Sequence, residues 1–356
     1  MTVMLFIVGI VLLIFGADLL VRGASQLAAG FGVSALLIGL TVVAMGTSAP
    51  ELAVSLQAAL IGEGAITLGN VVGSNIANVL LILGIASLFG SLPVAKQLLT
   101  RDVPVMLAAS ILTLLLALDG RLSQIDGFLM LLGLAGYMIF TIRGAMVEST
   151  RSAEPRPPIT LLILLRNLGL VIGGLALLII GANWLVDGAK IFAATLGVSE
   201  LIIGLTIVAV GTSLPEIATS VIAGLRGERD IAVGNVVGSN TLNLLLVLGL
   251  TMVLSPMALE VPSSALRLDL PVMVGVALLC LPVFFTRYLV SRREGLMLLG
   301  LYVAYTLYLI LGAAGSALVG PYGLFMLLVV IPLVVALLVV RTLHFLATER
   351  RRTVAK

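Results

Sequence analysis

Cysteine, histidine and charge are all scarce in this sequence. One cysteine, Cys280, and one histidine, His344, occur in 356 residues, and only 10% of the residues are charged. A lone cysteine excludes an intrachain disulfide and any Cys-x-x-Cys metal or redox centre. Set in an apolar run, Cys280 reads as packing or lipid-facing filler. His-Glu-x-x-His, Gly-x-Ser-x-Gly and paired aspartates are missing from the apolar runs, which argues against an intramembrane hydrolase. The N-terminus, MTVMLFIVGIVLLIFGADLL, lacks the basic segment and small-residue cleavage site of a secretory signal, so it reads as a retained first span. Nor is there the alternation, over roughly ten residues at a time, of a membrane barrel.

What is abundant is apolar surface. Sixty per cent of the residues are hydrophobic and the mean hydropathy is +1.25, values that place the chain among polytopic helical membrane proteins. Eleven apolar runs are candidate spans: 3–21, 35–60, 67–90, 103–119, 125–142, 160–186, 200–224, 231–254, 269–286, 295–313 and 321–340. The formal charge of +3 reports topology rather than an acidic partner or nucleic acid. With the first residue outside, 17 of the 20 Lys and Arg fall on the cytoplasmic side and only Arg121, Lys190 and Arg267 fall outside. That bias predicts an N-terminus outside and a C-terminus in the cytoplasm. His344 then lies at the cytoplasmic end of the last span, as an interfacial residue.

The chain repeats itself. FGVSALLIGLTVVAMGTSAPELAVSLQAAL at 31–60 aligns with LGVSELIIGLTIVAVGTSLPEIATSVIAGL at 196–225, and GNVVGSN recurs identically at 69–75 and 234–240, all at an offset of 165. The repeat unit holds five spans, an odd number, so the second copy enters the membrane from the opposite side. The expected fold is therefore all-α and polytopic, with two inverted five-helix repeats forming a ten-helix core and an eleventh C-terminal helix, an arrangement used by secondary transporters. The expected units are 1–143, a cytoplasmic linker at 144–160 that is charged and Pro-rich, 161–313, and a tail at 314–356 with the extra helix.

Each copy carries an acid where hydrocarbon is expected. Glu51 in GTSAPE and Glu216 in GTSLPE sit within apolar spans, where an ionised group costs at least about 2.5 kcal/mol. No Lys or Arg lies at similar depth to pair with them. Pro50 and Pro215 each remove a backbone donor and release the carbonyl four residues back, at Gly46 and Gly211. Thr47, Ser48, Thr212 and Ser213 precede the acids by three and four positions, on the same helix face. In the following spans Ser74 and Asn78, and Ser239 and Asn243, are four apart and face one way. Asn70, Asn75, Asn235 and Asn240 read mainly as helix-packing and backbone-capping groups, beside glycines that permit close approach. The donor set is all oxygen with two carboxylates, which suits Ca²⁺, Na⁺ or Mg²⁺ rather than Zn²⁺ or Cu²⁺. An unloaded site leaves two buried carboxylates unpaired, so the empty carrier should resist switching sides, and that makes an exchanger.

GTSAPE with GNVVGSNIAN, and GTSLPE with GNVVGSNTLN, closely resemble the alpha repeats of the calcium/cation antiporter superfamily, in particular its bacterial and archaeal sodium/calcium exchangers. The resemblance covers roughly 16–310. It implies four central ion sites, with ligands from Ala44 (carbonyl), Thr47, Ser48, Glu51, Ser74 and Asn78 in the first half. The second half would supply Ala209 (carbonyl), Thr212, Ser213, Glu216, Ser239 and Asn243. The glutamates would hold Ca²⁺, the hydroxyls and carbonyls would complete Na⁺ sites, and no resident cofactor is implied. Where some archaeal and potassium-dependent members carry Asp, this chain has Asn243, which implies exchange without K⁺. The resemblance does not require the eleventh helix, whose expected roles are oligomer contact or C-terminal anchoring. Two rival functions remain: a calcium/proton exchanger, whose acidic motif usually resembles GNxxE, and a cation channel lined by the repeated polar residues.

Overall fold

The computed structural model describes residues 2–151, 160–195 and 209–354. Among them, nine helices are long and apolar enough to cross a membrane: Met4–Phe31, Gly64–Phe89, Leu98–Asp119, Gln124–Gly144, Leu161–Ile191, Arg229–Leu254, Ala265–Phe285, Arg292–Ala313 and Val319–Ala347. The pair Ala35–Thr47 and Ala49–Leu60, bent by 43°, passes the same test taken together and counts as a tenth candidate. These match ten of the eleven expected spans. The other, 200–224, lies partly outside the described residues and continues as the apolar helix Leu214–Leu225.

The first and sixth helices are longer than their hydropathy suggests, Thr2–Phe31 with 30 residues and Leu161–Thr195 with 35. At about 1.5 Å per residue they exceed the roughly 30 Å of hydrocarbon, so they tilt and protrude. Their extra turns contain no proline, and polar contacts hold the protruding end of the first. Arg22 and Arg226 both pair with Asp18, Ser25 Oγ donates to Glu228 at 2.6 Å, and Arg166 donates to Gln26 at 2.7 Å. The fifth helix likewise continues to Arg151, into the charged stretch between the halves.

The two long helices run antiparallel in backbone contact. Gly9, Gly16 and Gly23 recur every seven residues, which keeps them on one helical face, and Gly174, Gly181 and Gly188 are their counterparts at the 165 offset. A Cβ built at Gly16 would lie 2.8 Å from the Gly174 carbonyl, and one at Gly174 would lie 2.6 Å from the Leu20 nitrogen. Only hydrogen fits there, as at close helix crossings in lipid, where association rests on packing rather than on the hydrophobic effect.

Gly64–Phe89 and Arg229–Leu254, the spans carrying GNVVGSN, are the most buried of the candidate spans, whereas the tenth and eleventh are the least. Gly234 and Gly238 let the Leu36–Ala44 segment approach: a Cβ at Gly238 would lie 2.7 Å from the Leu40 carbonyl. The eleventh helix packs on its own chain. Arg341 pairs at 3.1 Å with Glu294, which also caps the tenth helix through Ser291, and Phe345 meets the Phe285 ring edge-on at 5.7 Å.

Four two-residue strands, too short for a hydropathy signal, tie the surface loops. β1 (Leu92–Pro93) pairs antiparallel with β4 (Leu289–Val290), and β2 (Arg121–Leu122) with β3 (Leu259–Glu260). Paired strands lie on one side of the membrane, so an even number of crossings must separate them. Exchanging the two copies of the duplication turns β1 into β3 and β2 into β4, and so turns one ladder into the other.

Candidate functional site

The site begins at two broken helices. Pro50 offers no N–H to the Gly46 carbonyl, and the chain bends at Ser48 (φ −79°, ψ 3°) before the helix resumes with Leu52 N–H donating to the Ser48 carbonyl at 3.1 Å. Pro215 does the same after Ser213 (φ −86°, ψ 6°), and Ile217 N–H meets the Ser213 carbonyl at 3.0 Å. Proline is tolerated here because it falls in the first turn of the new half-helix. Glu51 and Glu216 lie in those same first turns, where the free N–H groups and the positive end of the dipole favour a carboxylate. The motif therefore serves its acid with loosened donors as well as loosened carbonyls, which the proline alone did not reveal.

Ala49–Leu60 packs against the Asn243–Leu248 turn of the second half, while Leu214–Leu225 packs against Ala44–Thr47 and Asn78–Ile82 of the first. Each acid is thus delivered to the opposite half. The next spans change from α to π geometry at Asn78–Ile82 and again at Asn243–Leu248, starting in each copy at the Asn expected to face the site. Such π turns are frequent at functional sites, and the extra residue re-aims the side chains that follow.

The expected residues gather as two interleaved sets. Ala44, Thr47, Ser48, Glu51, Ser74, Asn78, Ser213, Glu216, Ser239 and Asn243 are buried, and Thr212 is half-buried. Ala209 opens the described part of its span, and its side chain lies outside the described residues. Among the described residues, both oxygens of Glu51 and of Glu216 lack a hydrogen-bond partner, as do Ser48 Oγ, Ser74 Oγ, Ser213 Oγ, Asn78 Oδ1 and both polar atoms of Asn243. The four ion pairs among the described residues leave both glutamates out. Ionised carboxylates only accept, so a cluster of buried acceptors without a basic partner fits a hard cation shared between the halves.

Hydrogen bonds across the halves fix this cluster, and here two residues do more than pack helices. Asn70 and Asn235 each bridge their own half-helix to the threonine of the other copy. Thr47 Oγ1 donates to Asn235 Oδ1 at 3.1 Å, and Thr212 Oγ1 donates to Asn70 Oδ1 at 3.4 Å. Asn78 Nδ2 donates to Asn240 Oδ1 at 2.9 Å, and Asn240 Nδ2 donates to the Asn75 carbonyl at 3.2 Å, the packing role expected of the second asparagine pair. A third duplicated motif passed unnoticed in the sequence. Asp102 in DVPVM accepts from Tyr137 at 3.3 Å, and Asp269 in DLPVM accepts from Tyr305 at 2.8 Å. These pairs are 167 and 168 residues apart, and that slip from 165 hides them from a fixed-offset comparison.

Known proteins share both sequence and fold. The family model described as sodium/calcium exchanger protein matches residues 1–143 and 166–311. The chain is 36% identical over 244 residues to inner membrane protein YrbG of Escherichia coli K12, covering 66% of this chain and 74% of that protein. It is 34% identical over 286 residues to the sodium/calcium exchanger MaX1 of Methanosarcina acetivorans, covering 70% and 81%. Solved structures of the sodium-calcium exchanger NCX_Mj superpose with a TM-score of 0.74 at 33% identity, over 85% of this chain and 96% of that one. This chain is an integral membrane protein of the sodium/calcium exchanger family.

Proposed function

We propose that the protein is a secondary antiporter that exchanges Na⁺ for Ca²⁺ by alternating access, without a need for K⁺. The observation that carries this is the pair Glu51 and Glu216: four buried carboxylate oxygens with no hydrogen-bond partner among the described residues, each acid seated against the opposite copy of the duplication. Relatives named for sodium/calcium exchange support the choice of ions. In this mechanism the two carboxylates hold Ca²⁺, with hydroxyl, amide and carbonyl oxygens from Ala44, Thr47, Ser48, Ser74, Asn78 and their counterparts completing the sites for Na⁺. One Ca²⁺ or two Na⁺ neutralise the pair. An unloaded site leaves two like charges uncompensated in a low-dielectric interior, so only loaded forms cross between the two access states, and flux in one direction is tied to flux in the other. The strand ladders, which interchange when the copies are exchanged, support the inverted relation that such a cycle needs.

The test is ⁴⁵Ca²⁺ uptake into proteoliposomes with and without an opposing Na⁺ gradient. Uptake only with the gradient is expected. Uptake driven by a pH jump without Na⁺ would make the protein a calcium/proton exchanger, and conductance without any counter-ion would make it a channel. Replacing K⁺ by choline on both sides should leave the flux unchanged. Asn78 and Asn243 are neutral symmetry mates, so K⁺ added beside Ca²⁺ would leave a net positive charge with no third carboxylate to offset it. Flux lost in choline would show that K⁺ is part of the cycle.

The bias of the basic residues supports an N-terminus outside a prokaryotic inner membrane, with the tail TERRRTVAK in the cytoplasm. A C-terminal fluorescent reporter that matures only in the cytoplasm should light up, and a periplasmic phosphatase reporter at the same position should stay silent. The opposite pattern rules out this orientation.

A further inference from the structure

We propose that Asn70 and Asn235 are positioning residues of the ion site: their carbonyl oxygens take the hydroxyl protons of Thr212 and Thr47, which turns the hydroxyl lone pairs toward the transported cations. The proposal rests on the exchanger reading above and adds two residues outside its ligand set.

A threonine hydroxyl has one proton and two lone pairs, and it can ligate a cation only if the proton points elsewhere. Thr47 has three polar neighbours. Asn235 Oδ1 lies at 3.1 Å, the Ala44 carbonyl, three residues back, at 3.3 Å, and Ser239 Oγ, which can itself donate, is the longest at 3.5 Å. The choice matters because the Ala44 carbonyl already accepts the Ser48 N–H at 3.0 Å. If it also took the Thr47 proton, both of its lone pairs would be occupied. With the proton on Asn235, the Thr47 hydroxyl and the second lone pair of Ala44 are both left for a cation.

The asparagine must present oxygen rather than nitrogen, and for Asn70 its other end settles that: Nδ2 donates to the Glu51 carbonyl, which can only accept, at 3.2 Å, and to Ser55 Oγ at 2.9 Å. Asn235 has the matching arrangement at the 165 offset, with Nδ2 donating to Ser220 Oγ at 3.0 Å. Ser55 and Ser220 are fully buried and lie one turn beyond Glu51 and Glu216 on the same half-helices. Each relay therefore runs from serine through asparagine to the threonine of the other copy, and it occurs twice at the 165 offset: Ser220–Asn235–Thr47 and Ser55–Asn70–Thr212. The same amide connects the half-helix bearing one glutamate to the hydroxyl beside the other.

The experiment is a double-mutant cycle in proteoliposomes, measuring Na⁺-dependent ⁴⁵Ca²⁺ flux against Na⁺ concentration. Asn235→Ala is expected to raise the apparent KM for Na⁺ about three- to tenfold, the range of one lost orienting hydrogen bond, with Vmax nearly unchanged. In a Thr47→Val background, which has no proton to orient, Asn235→Ala should add nothing. In Thr47→Ser, which keeps the hydroxyl, its effect should return. Equal penalties in all three backgrounds mean a purely structural role and overturn the proposal, as does an unchanged KM in the single variant. Should Asn235→Ala fail to fold, the cycle of Asn70→Ala with Thr212→Val, on the half-buried side, carries the same expectation. Absence of Na⁺-dependent flux in the unaltered protein overturns the exchanger reading and this proposal with it. Flux with additive penalties overturns this proposal alone.

Discussion

Glu51→Gln and Glu216→Gln are each expected to abolish Ca²⁺ exchange while leaving the protein folded in the membrane. Glutamine keeps the volume and one acceptor but removes one of the two charges. A carboxylate and a cation about 4 Å apart attract by roughly 4 kcal/mol per unit charge at an effective dielectric of about 20, so losing one carboxylate weakens ion binding by a factor on the order of a thousand or more. Stability should move the other way or not at all. Both carboxylates are buried without a basic partner, so neutralising one relieves charge that the unloaded protein holds at a cost. Thermal melting in detergent without Ca²⁺ should therefore be no lower than for the parent chain. Aspartate at either position should impair rather than abolish transport, since the charge remains and the reach shortens. Near-normal flux in either glutamine variant would sink the assignment of the site.

The second large effect concerns assembly. Leucine at Gly174 or Gly16 should prevent the two long helices from closing. A side chain at Gly174 meets the Leu20 nitrogen at 2.6 Å and the Gly16 carbonyl at 2.7 Å, and these are backbone atoms that no rotamer change can move aside. Overpacking typically costs about 1–3 kcal/mol, and a clash with fixed backbone atoms falls at or above the top of that range. The expected outcome is loss of the monodisperse peak in size-exclusion chromatography and of a cooperative melt. Gly173 supplies the control, since a Cβ there meets nothing within 4 Å among the described residues. Its leucine variant should behave as the parent does. Equal damage from the Gly173 and Gly174 variants would show that this helix rejects added bulk wherever it falls, and that the close crossing is not the reason, since leucine is the better helix former at both positions.

Much of this molecule can be read from its residues alone, for identifiable reasons. An apolar run in lipid has little choice but to form a helix, because every backbone group must be satisfied within the segment. The spans were therefore visible, and so were Glu51 and Glu216, as the expensive exceptions inside them. Repetition did the rest: a residue such as Asn78 becomes informative once Asn243 stands in the same place 165 residues later. What escaped had weaker local signals. Two-residue strands carry no periodicity, and π turns depend on tertiary packing. The glycine ladder was present as a seven-residue spacing, but its meaning depends on which helix lies opposite. The roles of Asn70 and Asn235 were underestimated because a hydrogen bond to the other copy, across 142 or 188 residues, is not a property of either sequence segment by itself.

The strand ladders and the threonine–asparagine bridges also bear on how the chain is made. β1 has no strand partner until residue 289 has been synthesised, Thr47 no side-chain partner until residue 235, and Asn78 none until residue 240. A half-made chain in the bilayer therefore carries Glu51, Thr47 and Asn78 without the groups that later face them. Its ordered state depends on contacts of high sequence separation, whose entropy must be lost before they give anything back. The first copy of the duplication is then not a finished module awaiting a twin. Its polar residues at Thr47 and Asn78 gain their side-chain partners only once the second copy has been made.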